Sequence, residues 1–297
     1  MPIQWSVAVA IFARFSRLGA VKTLCLASGE RVPALGQGTW NMGDHPAARA
    51  RELAALRSGL DHGLTLIDTA EMYGDGRSEM LVAEAIAGRR DQVFLVSKVL
   101  PGNATRHGTL AACERSLRRL ATDRIDLYLL HWRGNVPFAE TLEALTRLQA
   151  DGKIRHYGVS NLDLADMQEL YRLEGGKGVA ANQLLYNLSR RGIEWDLLPW
   201  LRAKHIPVMA YSPLEQARLV KHKGLAAFAK THGMTPAQAA LAWLLAQDGV
   251  IAIPKCGNAA RMTENLAALD ITLSGQQLAA LDALFPPPSK ARSLEML

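Results

Sequence analysis

The amino-acid sequence of 297 residues predicts an α/β fold, a single (β/α)8 (TIM) barrel. Short runs rich in Val, Ile and Leu alternate with longer segments of helical periodicity, which is typical of strands joined by helices. The runs are apolar on both faces, as expected for a parallel sheet that helices cover. No change in composition marks a boundary between domains. The eight candidate strands are 34–40, 64–68, 93–98, 125–131, 155–160, 179–183, 207–212 and 250–255.

A short hairpin is predicted ahead of the first barrel strand. Residues 21–26 and 31–33 flank the sequence Ala27-Ser28-Gly29-Glu30, which is typical of a turn. We expect this hairpin to cap the bottom of the barrel.

The segments between the strands carry helix signals. Phe138, Leu142, Leu145 and Leu148 recur at helical spacing and share one face. Thr235-Pro236-Ala237-Gln238 and Ser274-Gly275-Gln276-Gln277 predict capping boxes, and the second of these predicts an extra helix near the C-terminus. His62-Gly63 and Asp151-Gly152 are typical of helix ends that lead into a strand.

The main rival architecture is a doubly wound sheet. Such a fold commonly carries a GxGxxG pattern after its first strand, whereas Gly36-Gln37-Gly38 lacks the third glycine. The sequence also contains no P-loop and no GxSxG nucleophile elbow. The barrel is therefore favoured.

Residues 1–20 are interpreted as an N-terminal extension, and residues 21–297 as the barrel domain. The extension contains an apolar run from Val7 to Ala13, but Arg14 and Arg17 follow this run instead of preceding it. A secretory signal has the opposite order. A disordered or loosely docked extension, or a start site assigned too far upstream, fits better.

Composition limits the classes of function. Apolar residues make up 49% of the chain and charged residues 21%, which excludes a mainly disordered protein. The net charge of +6 comes from dispersed basic clusters, so no nucleic-acid partner is expected. No segment reaches the roughly 18 apolar residues that span a bilayer, so no membrane partner is expected either. The 3 cysteines lie far apart with no CxxC, which predicts a cytoplasmic protein without disulfides or a metal site.

Polar side chains end three of the apolar runs. Asp68, Lys98 and His131 each follow a predicted strand, and Tyr73 lies in the short loop after Asp68. In a barrel, the carboxyl ends of the strands form the active site. Each residue alone has an ordinary structural explanation as a turn, surface or packing residue, but their occurrence at successive strand ends predicts one site.

These four residue types suit the protonation of a carbonyl oxygen. A buried lysine needs a carboxylate partner, which Asp68 can provide. A neighbouring cation is expected to lower the pKa of Tyr73 from about 10 and make it a proton donor. His131 can orient the carbonyl by a hydrogen bond. None of these groups supplies a reducing equivalent, so a cofactor is expected.

The chain resembles the aldo-keto reductases from about Val21 to its C-terminus. It is similar to the YeaE-like bacterial members that reduce methylglyoxal and other small aldehydes. The resemblance implies NADPH-dependent reduction of aldehydes and ketones, with Asp68, Tyr73, Lys98 and His131 as the catalytic tetrad. The matching segments, in order, are Gly36-Gln37-Gly38-Thr39-Trp40, residues 67–74, Ser97-Lys98, residues 127–132, Gly158-Val159-Ser160-Asn161, Asn182-Gln183, Tyr211-Ser212-Pro213-Leu214 and Ile253-Pro254-Lys255.

The resemblance also implies the residues that bind the cofactor. Those matching the nicotinamide site are Ser160, Asn161 and Gln183 at the carboxamide and Tyr211 against the ring. Ser212 and Leu214 match contacts to the pyrophosphate. Those matching the adenosine site are Lys255, Arg261, Glu264 and Asn265, the first two around the 2′-phosphate. Ser160-Asn161 has an alternative interpretation as a helix cap before Leu164.

The substrate pocket is predicted to be lined by Trp40, Met72, Trp132 and Arg133. The segment 215–223 is shorter than in many relatives, so Arg218 and Lys221 are possible substitutes at the phosphates. Cys256 stands where many relatives have a hydroxyl residue that donates to the 2′-phosphate. The contact with that phosphate is therefore expected to be weaker. The short tail after Phe285, broken by three prolines, favours a small substrate.

Three other functions stay open. A cofactor-binding regulatory subunit shares this fold, but all four catalytic positions are filled here. A barrel isomerase or aldolase that uses Lys98 as a Schiff base would leave the matches at 158–161 and 253–255 unexplained. A double-bond reductase is disfavoured, because such relatives carry a glutamate where His131 stands. The resemblance also implies a monomer that acts on a small carbonyl compound.

Overall fold

The computed structural model describes residues 22–297, so the predicted N-terminal extension lies outside the described residues. The chain forms a two-stranded hairpin and an eight-stranded parallel sheet. The hairpin strands are β1 (Thr23–Cys25) and β2 (Arg31–Pro33). The sheet strands are β3 (Gln37–Gly38), β4 (Leu66–Asp68), β5 (Phe94–Val99), β6 (Ile125–Leu130), β7 (Ile154–Ser160), β8 (Val179–Leu185), β9 (Val208–Tyr211) and β10 (Val250–Ala252).

Helices connect the strands and cover the outside of the sheet. Their apolar faces form one large cluster with the outward side chains of the strands. Within residues 22–297, no helix is long and apolar enough to cross a membrane. The helices are α1 (Pro46–Asp61), α2 (Arg77–Ile86), α3 (Arg106–Leu120), α4 (Phe138–Ala150), α5 (Leu164–Tyr171), α6 (Leu197–Ala203), α7 (Lys223–Thr231), α8 (Pro236–Leu245), α9 (Ala259–Leu266) and α10 (Gly275–Leu284).

The sheet closes into a barrel between its first and last strands. Parallel bridges join Leu35 to Ala252 and Gly38 to Lys255. The amide of Gly36 donates to the carbonyl of Ala252 at 2.8 Å, and the amide of Ala252 donates to Ala34 at 2.8 Å. The predicted (β/α)8 barrel is therefore confirmed, with α10 as the predicted extra helix.

The N-terminal hairpin closes the bottom of this barrel, as the sequence predicts. Leu26 and Val32 are buried in one cluster with side chains that fill the barrel interior. Glu30, after the hairpin turn, pairs with Arg155 and His156 near the start of β7. The opposite end, where the strands terminate, is the end left for a ligand.

Two predictions about local structure differ in outcome. The capping boxes at Thr235 and Ser274 are present as predicted. The last predicted strand, 250–255, ends at Ala252 instead, because Pro254 has no amide proton to donate to a neighbouring strand.

Candidate active site

Four polar side chains meet where the strands end. Asp68 is the last residue of β4, Lys98 lies in β5, and His131 directly follows β6. Tyr73 begins the 3₁₀ turn (Tyr73–Gly76) that follows β4. The structure thus brings together all four residues that the sequence predicts.

The ammonium group of Lys98 is the centre of this cluster. Its side chain is completely buried. Nζ donates to Asp68 Oδ2 at 2.9 Å, to the Thr69 carbonyl at 2.8 Å and to the Tyr73 hydroxyl at 3.2 Å. These three contacts use all three ammonium protons. The second oxygen of Asp68 accepts a hydrogen bond from Gln183 Nε2 at 2.7 Å, so the carboxylate is also held from the opposite side.

Burial affects the pKa values of both Lys98 and Tyr73. Burial lowers the pKa of Lys98, but Asp68 and Tyr73 together outweigh it, and the pKa of Lys98 is raised. Burial also raises the pKa of Tyr73, and the opposing effect of Lys98 does not cancel it. The expected lowering of the phenol pKa is therefore wrong. Tyr73 holds its proton at neutral pH.

His131 is a neutral, nearly buried ring beside Tyr73. The two ring centroids are 5.9 Å apart in an edge-on arrangement. Burial, with a smaller effect of Lys98, lowers the pKa of His131 to about 3. Nδ1 is buried with no partner in the described part of the chain, and the residue lines the cavity described below. Only Nε2 is therefore placed to meet a bound molecule.

Buried hydroxyl groups support Asp68 from behind. Thr39 Oγ1 donates to the carbonyl of Asp68 at 2.9 Å, and Ser78 Oγ donates to Thr39 Oγ1 at 2.8 Å. Thr69 Oγ1 in turn donates to Ser78 Oγ at 3.2 Å. Sequence reasoning missed these residues, because isolated Ser and Thr residues carry no spacing signal.

A second buried group links the strand of Lys98 to the helix after Tyr73. The carboxylate of Glu79, in α2, accepts from Ser97 Oγ at 2.7 Å and from Arg119 Nε at 2.5 Å. Ser97 precedes Lys98 in β5, so this clamp fixes the strand against α2. Sequence reasoning missed Glu79 as well, because its complete burial is visible only in the structure.

The loop that carries Tyr73 depends on glycine. Gly74 has a φ of +57°, and a Cβ there would lie 2.1 Å from Asp44 Oδ1. The Asp44 side chain can rotate away, but the left-handed φ would strain any other residue here and with it the loop that carries Tyr73.

The cluster opens into a cavity of about 720 Å³. Asp68, Tyr73 and His131 line it, and Lys98 lies behind them. All ten residues predicted to bind the cofactor also line it. These are Ser160, Asn161, Gln183, Tyr211, Ser212, Leu214, Lys255, Arg261, Glu264 and Asn265.

The polar groups near Tyr211 form a connected set. Asn161 Nδ2 donates to the carbonyl of His131 at 3.2 Å and to Ser160 Oγ at 3.1 Å. The Tyr211 hydroxyl donates to Asn161 Oδ1 at 3.0 Å. The alternative interpretation of Ser160-Asn161 as a helix cap is wrong, because Asp163 caps α5 and accepts from the amide of Asp166.

Another part of the cavity wall is formed by the residues after β10 and by α9. Lys255 and Arg261 are exposed, and in residues 22–297 neither forms an ion pair. Cys256 is buried, and its Sγ contacts the carbonyl of Asn258 at 3.1 Å. The thiol thus donates within the protein, and the weakened contact to the 2′-phosphate stays a prediction.

Arg133 does not line the cavity, which corrects the prediction that it does. Its guanidinium pairs with Asp166 and Glu169, which lie one turn apart on α5. It also stacks 4.5 Å from the centroid of Phe138. The predicted substrate residues Trp40, Met72 and Trp132 do line the cavity.

The segment after β9 has a strained backbone. Ser212, Glu215, Gln216 and Ala217 all have φ between +48° and +68°, which is costly for residues other than glycine. Glu215 is buried and accepts from Arg190 Nε at 3.0 Å. The idea that Arg218 and Lys221 serve the cavity is not supported, since neither lines it and Arg218 lies 3.6 Å from Glu215.

The C-terminal tail reaches the same cavity, which sequence reasoning missed. Met296 and Leu297 line it, and the amide of Leu297 lies 3.4 Å from the Tyr211 hydroxyl. Arg190 pairs with Glu295 at 2.5 Å as well as with Glu215, so it joins the tail to the strained segment.

Comparison with known proteins gives consistent matches. Residues 34–285 match the sequence model of the aldo/keto reductase family. Methylglyoxal reductase YeaE of Escherichia coli is 52% identical over 271 residues, which are 90% of this chain and 95% of that protein. Glyoxal reductase of Bacillus subtilis is 33% identical over 262 residues, covering 88% of this chain and 92% of that protein.

A solved structure agrees in fold over nearly the whole chain. It is an aldo/keto reductase from Klebsiella pneumoniae in complex with NADP and acetate. The TM-score is 0.91 at 53% sequence identity, and the match covers 93% of this chain and all (100%) of that one.

Proposed function

Because the chain belongs to the aldo/keto reductase family, we propose that it reduces aldehydes and ketones to alcohols with NADPH. Its substrates on this proposal are small carbonyl compounds, including 2-oxoaldehydes of the methylglyoxal type. The observation that carries the proposal is the buried ammonium of Lys98, which holds Asp68 and the Tyr73 hydroxyl at the cavity wall. The name of the Escherichia coli relative and the NADP in the Klebsiella structure support it.

Tyr73 is proposed as the proton donor. Its raised pKa keeps the phenol protonated at neutral pH, so a proton is available for the carbonyl oxygen. Lys98 then stabilises the phenolate that remains, because its ammonium lies 3.2 Å from that oxygen. The neutral His131 presents Nε2 to the same carbonyl oxygen and orients it. The nicotinamide, when bound, supplies the hydride to the carbonyl carbon.

The residues that line the cavity suit a dinucleotide in their chemistry. Near Tyr73, the side chains of Ser160, Asn161 and Gln183 provide donors and acceptors for a carboxamide, and Tyr211 provides a ring face. Ser212 and Leu214 also line the cavity and would hold the pyrophosphate. Lys255 and Arg261 would hold the 2′-phosphate, and Glu264 and Asn265 the adenine.

The rival function is a cofactor-binding subunit without catalysis. The assembled groups argue against it, because a binding protein does not need a lysine and a carboxylate buried beside a phenol. All four groups come from one chain, and we propose that the monomer is the active form.

The test measures NADPH oxidation by absorbance against a panel of small aldehydes, 2-oxoaldehydes and sugars. We expect turnover with several of them, and a loss of roughly 10²-fold or more in Tyr73→Phe, which keeps the ring but removes the proton donor. Tyr171→Phe, outside the cavity, is the matched control and should behave as wild type. Cofactor binding by fluorescence should be unchanged in both variants.

Two results would contradict the proposal. NADPH binding without oxidation by any carbonyl compound would favour the regulatory subunit. Turnover of Tyr73→Phe within a factor of about three of wild type would show that another group is the acid.

A further inference from the structure

We propose that this site selects carbonyl substrates without a negative charge, because a guanidinium beside its rim is neutralised by two carboxylates. This selection concerns a negative charge on a part of the substrate that is remote from the reacting carbonyl. The inference rests on the proposed function and names the substrate class of that same site. The residues that set this selectivity are Arg133, Asp166 and Glu169.

Among the described residues, the part of the cavity around Tyr73 has no cation other than Lys98. Its wall there is formed by Trp40, Asn41, Met72 and Trp132, and we call these four residues the substrate rim. Lys98 has already used all its donors. His131 is neutral, since its pKa is lowered to about 3. A carboxylate on the substrate would therefore lose its water without gaining an ionic partner.

The two other cations that line the cavity are Lys255 and Arg261. The Lys255 ammonium lies beside Gly257, where the side chain of Glu52 also packs. Arg261 lies on α9, which packs against α1 and α8. Neither side chain belongs to the substrate rim, and both are assigned to the cofactor.

Arg133 is the cation that the sequence places next to the substrate rim, since it follows Trp132. Its guanidinium Nη1 donates to Asp166, and its two terminal nitrogens donate to Glu169 at 2.7 and 3.2 Å. This fork holds both ends of the guanidinium on α5, and the ring of Phe138 packs against its face. The positive charge is thereby fixed away from the cavity and compensated.

A matched pair of aldehydes tests the inference. The pair is 4-formylbenzoate and its methyl ester, which share the aldehyde and the ring and differ in charge. A charge-assisted hydrogen bond corresponds to about 10- to 150-fold in equilibrium, so we expect kcat/KM for the ester to exceed that for the acid by at least tenfold. The difference should lie in KM, because the charge is remote from the reacting atoms.

Two variants test the cause. Met72→Arg places a cation on the substrate rim and should raise kcat/KM for the acid, relative to the ester, by at least tenfold. Met72→Gln, of similar length but neutral, is its control. The double variant Asp166→Asn, Glu169→Gln releases Arg133 and should shift the ratio in the same direction. Adding Arg133→Met to that double variant should restore the wild-type ratio.

The results distinguish a failure of the inference on substrate charge from a failure of the proposed function. If the wild-type protein uses acid and ester within a factor of about three of each other, the inference is overturned while the proposed function stands. A ratio unchanged in both Met72→Arg and the double variant also overturns it. If the ester itself is not reduced, the proposed function fails and the inference falls with it.

Discussion

The ammonium of Lys98 is the single side-chain group on which the candidate site depends most. It is buried, and Asp68, Thr69 and Tyr73 accept its three protons. The pairing of Asp68 with Lys98 could be predicted from sequence, because both residues follow apolar runs that predict neighbouring parallel strands. The acidity of Tyr73 could not, because it depends on how deeply the folded chain buries the phenol.

Removing this charge should damage both activity and stability. In Lys98→Met, the buried Asp68 loses its ionic partner, which costs about 3–5 kcal/mol in the free energy of unfolding. Turnover should collapse at neutral pH, since the phenolate left by Tyr73 is no longer stabilised. The double variant Asp68→Asn, Lys98→Met should recover most of the melting temperature but none of the turnover. Turnover of Lys98→Met close to wild type would contradict the assignment.

His131 should make the protein sensitive to mild acid. Its folded-state pKa of about 3 lies below the unfolded value of about 6.5. Between these values the unfolded chain binds more protons, so stability is full above pH 6.5 and falls as the pH decreases. The slope is up to about 1.4 kcal/mol per pH unit.

Urea unfolding at pH 7 and pH 5 measures this effect. His131→Gln should lose less stability than wild type between the two pH values. His107→Gln, at an exposed position, should follow wild type. Parallel behaviour of wild type and His131→Gln would show that the ring does not resist protonation.

Arg133 marks a limit of sequence reasoning at the same scale. Its place after Trp132 predicted a pocket residue, but its partners Asp166 and Glu169 lie on a helix more than 30 residues later. A pairing at that separation leaves no spacing pattern, so only the fold reveals it.

At the scale of elements, the order of the strands and the capping boxes were predictable, and the clamps between elements were not. The capping boxes of α8 and α10 follow from four-residue patterns. Glu79, by contrast, is an acidic residue in an ordinary helix until the structure shows its contacts with Ser97 and Arg119. The strained backbone at Glu215 and its neighbours was also hidden, since these residues are not glycines.

The clamp at Glu79 should be a major source of stability for α2. Arg119→Met leaves a fully buried carboxylate with only Ser97 as its partner, and the free energy of unfolding should fall by about 3 kcal/mol. Arg118→Met, the exposed neighbour on α3, should cost far less. Chemical denaturation of both variants measures the difference. Equal stability of the two would show that the buried pair contributes nothing.

At the scale of the whole molecule, the cavity gathers residues from strands that are far apart in sequence. Ser160 and Tyr211 end β7 and β9, Gln183 lies within β8, and Lys255 follows β10. A bound dinucleotide would therefore link these strands and stabilise the whole barrel. The order of the matching segments was sufficient to predict this grouping, whereas the contact of the tail with Tyr211 was not predictable.

NADPH should raise the stability more than NADH does. At 100 times the dissociation constant, a ligand that binds only the folded state adds about 2.7 kcal/mol. The 2′-phosphate provides contacts to Lys255 and Arg261 that NADH lacks, and we expect kcat/KM to favour NADPH on the order of 10²–10³. Arg261→Ala should reduce both preferences, mainly through the KM for NADPH, and Arg172→Ala, exposed after α5, should not. Equal thermal shifts with the two cofactors would contradict the assignment of this pair.

The closure of the barrel between β3 and β10 has a consequence for synthesis on the ribosome. The amide of Gly36 donates to the carbonyl of Ala252. The outer edge of the first sheet strand therefore stays unpaired until the last strand has been translated. At about 5–20 residues per second, the roughly 200 intervening residues take about 10 to 40 s. During that interval the nascent chain carries an open parallel sheet whose first edge is unpaired, and such an edge is prone to aggregation. Codon usage and chaperone supply should therefore affect the yield of this protein most strongly before residue 255 leaves the exit tunnel.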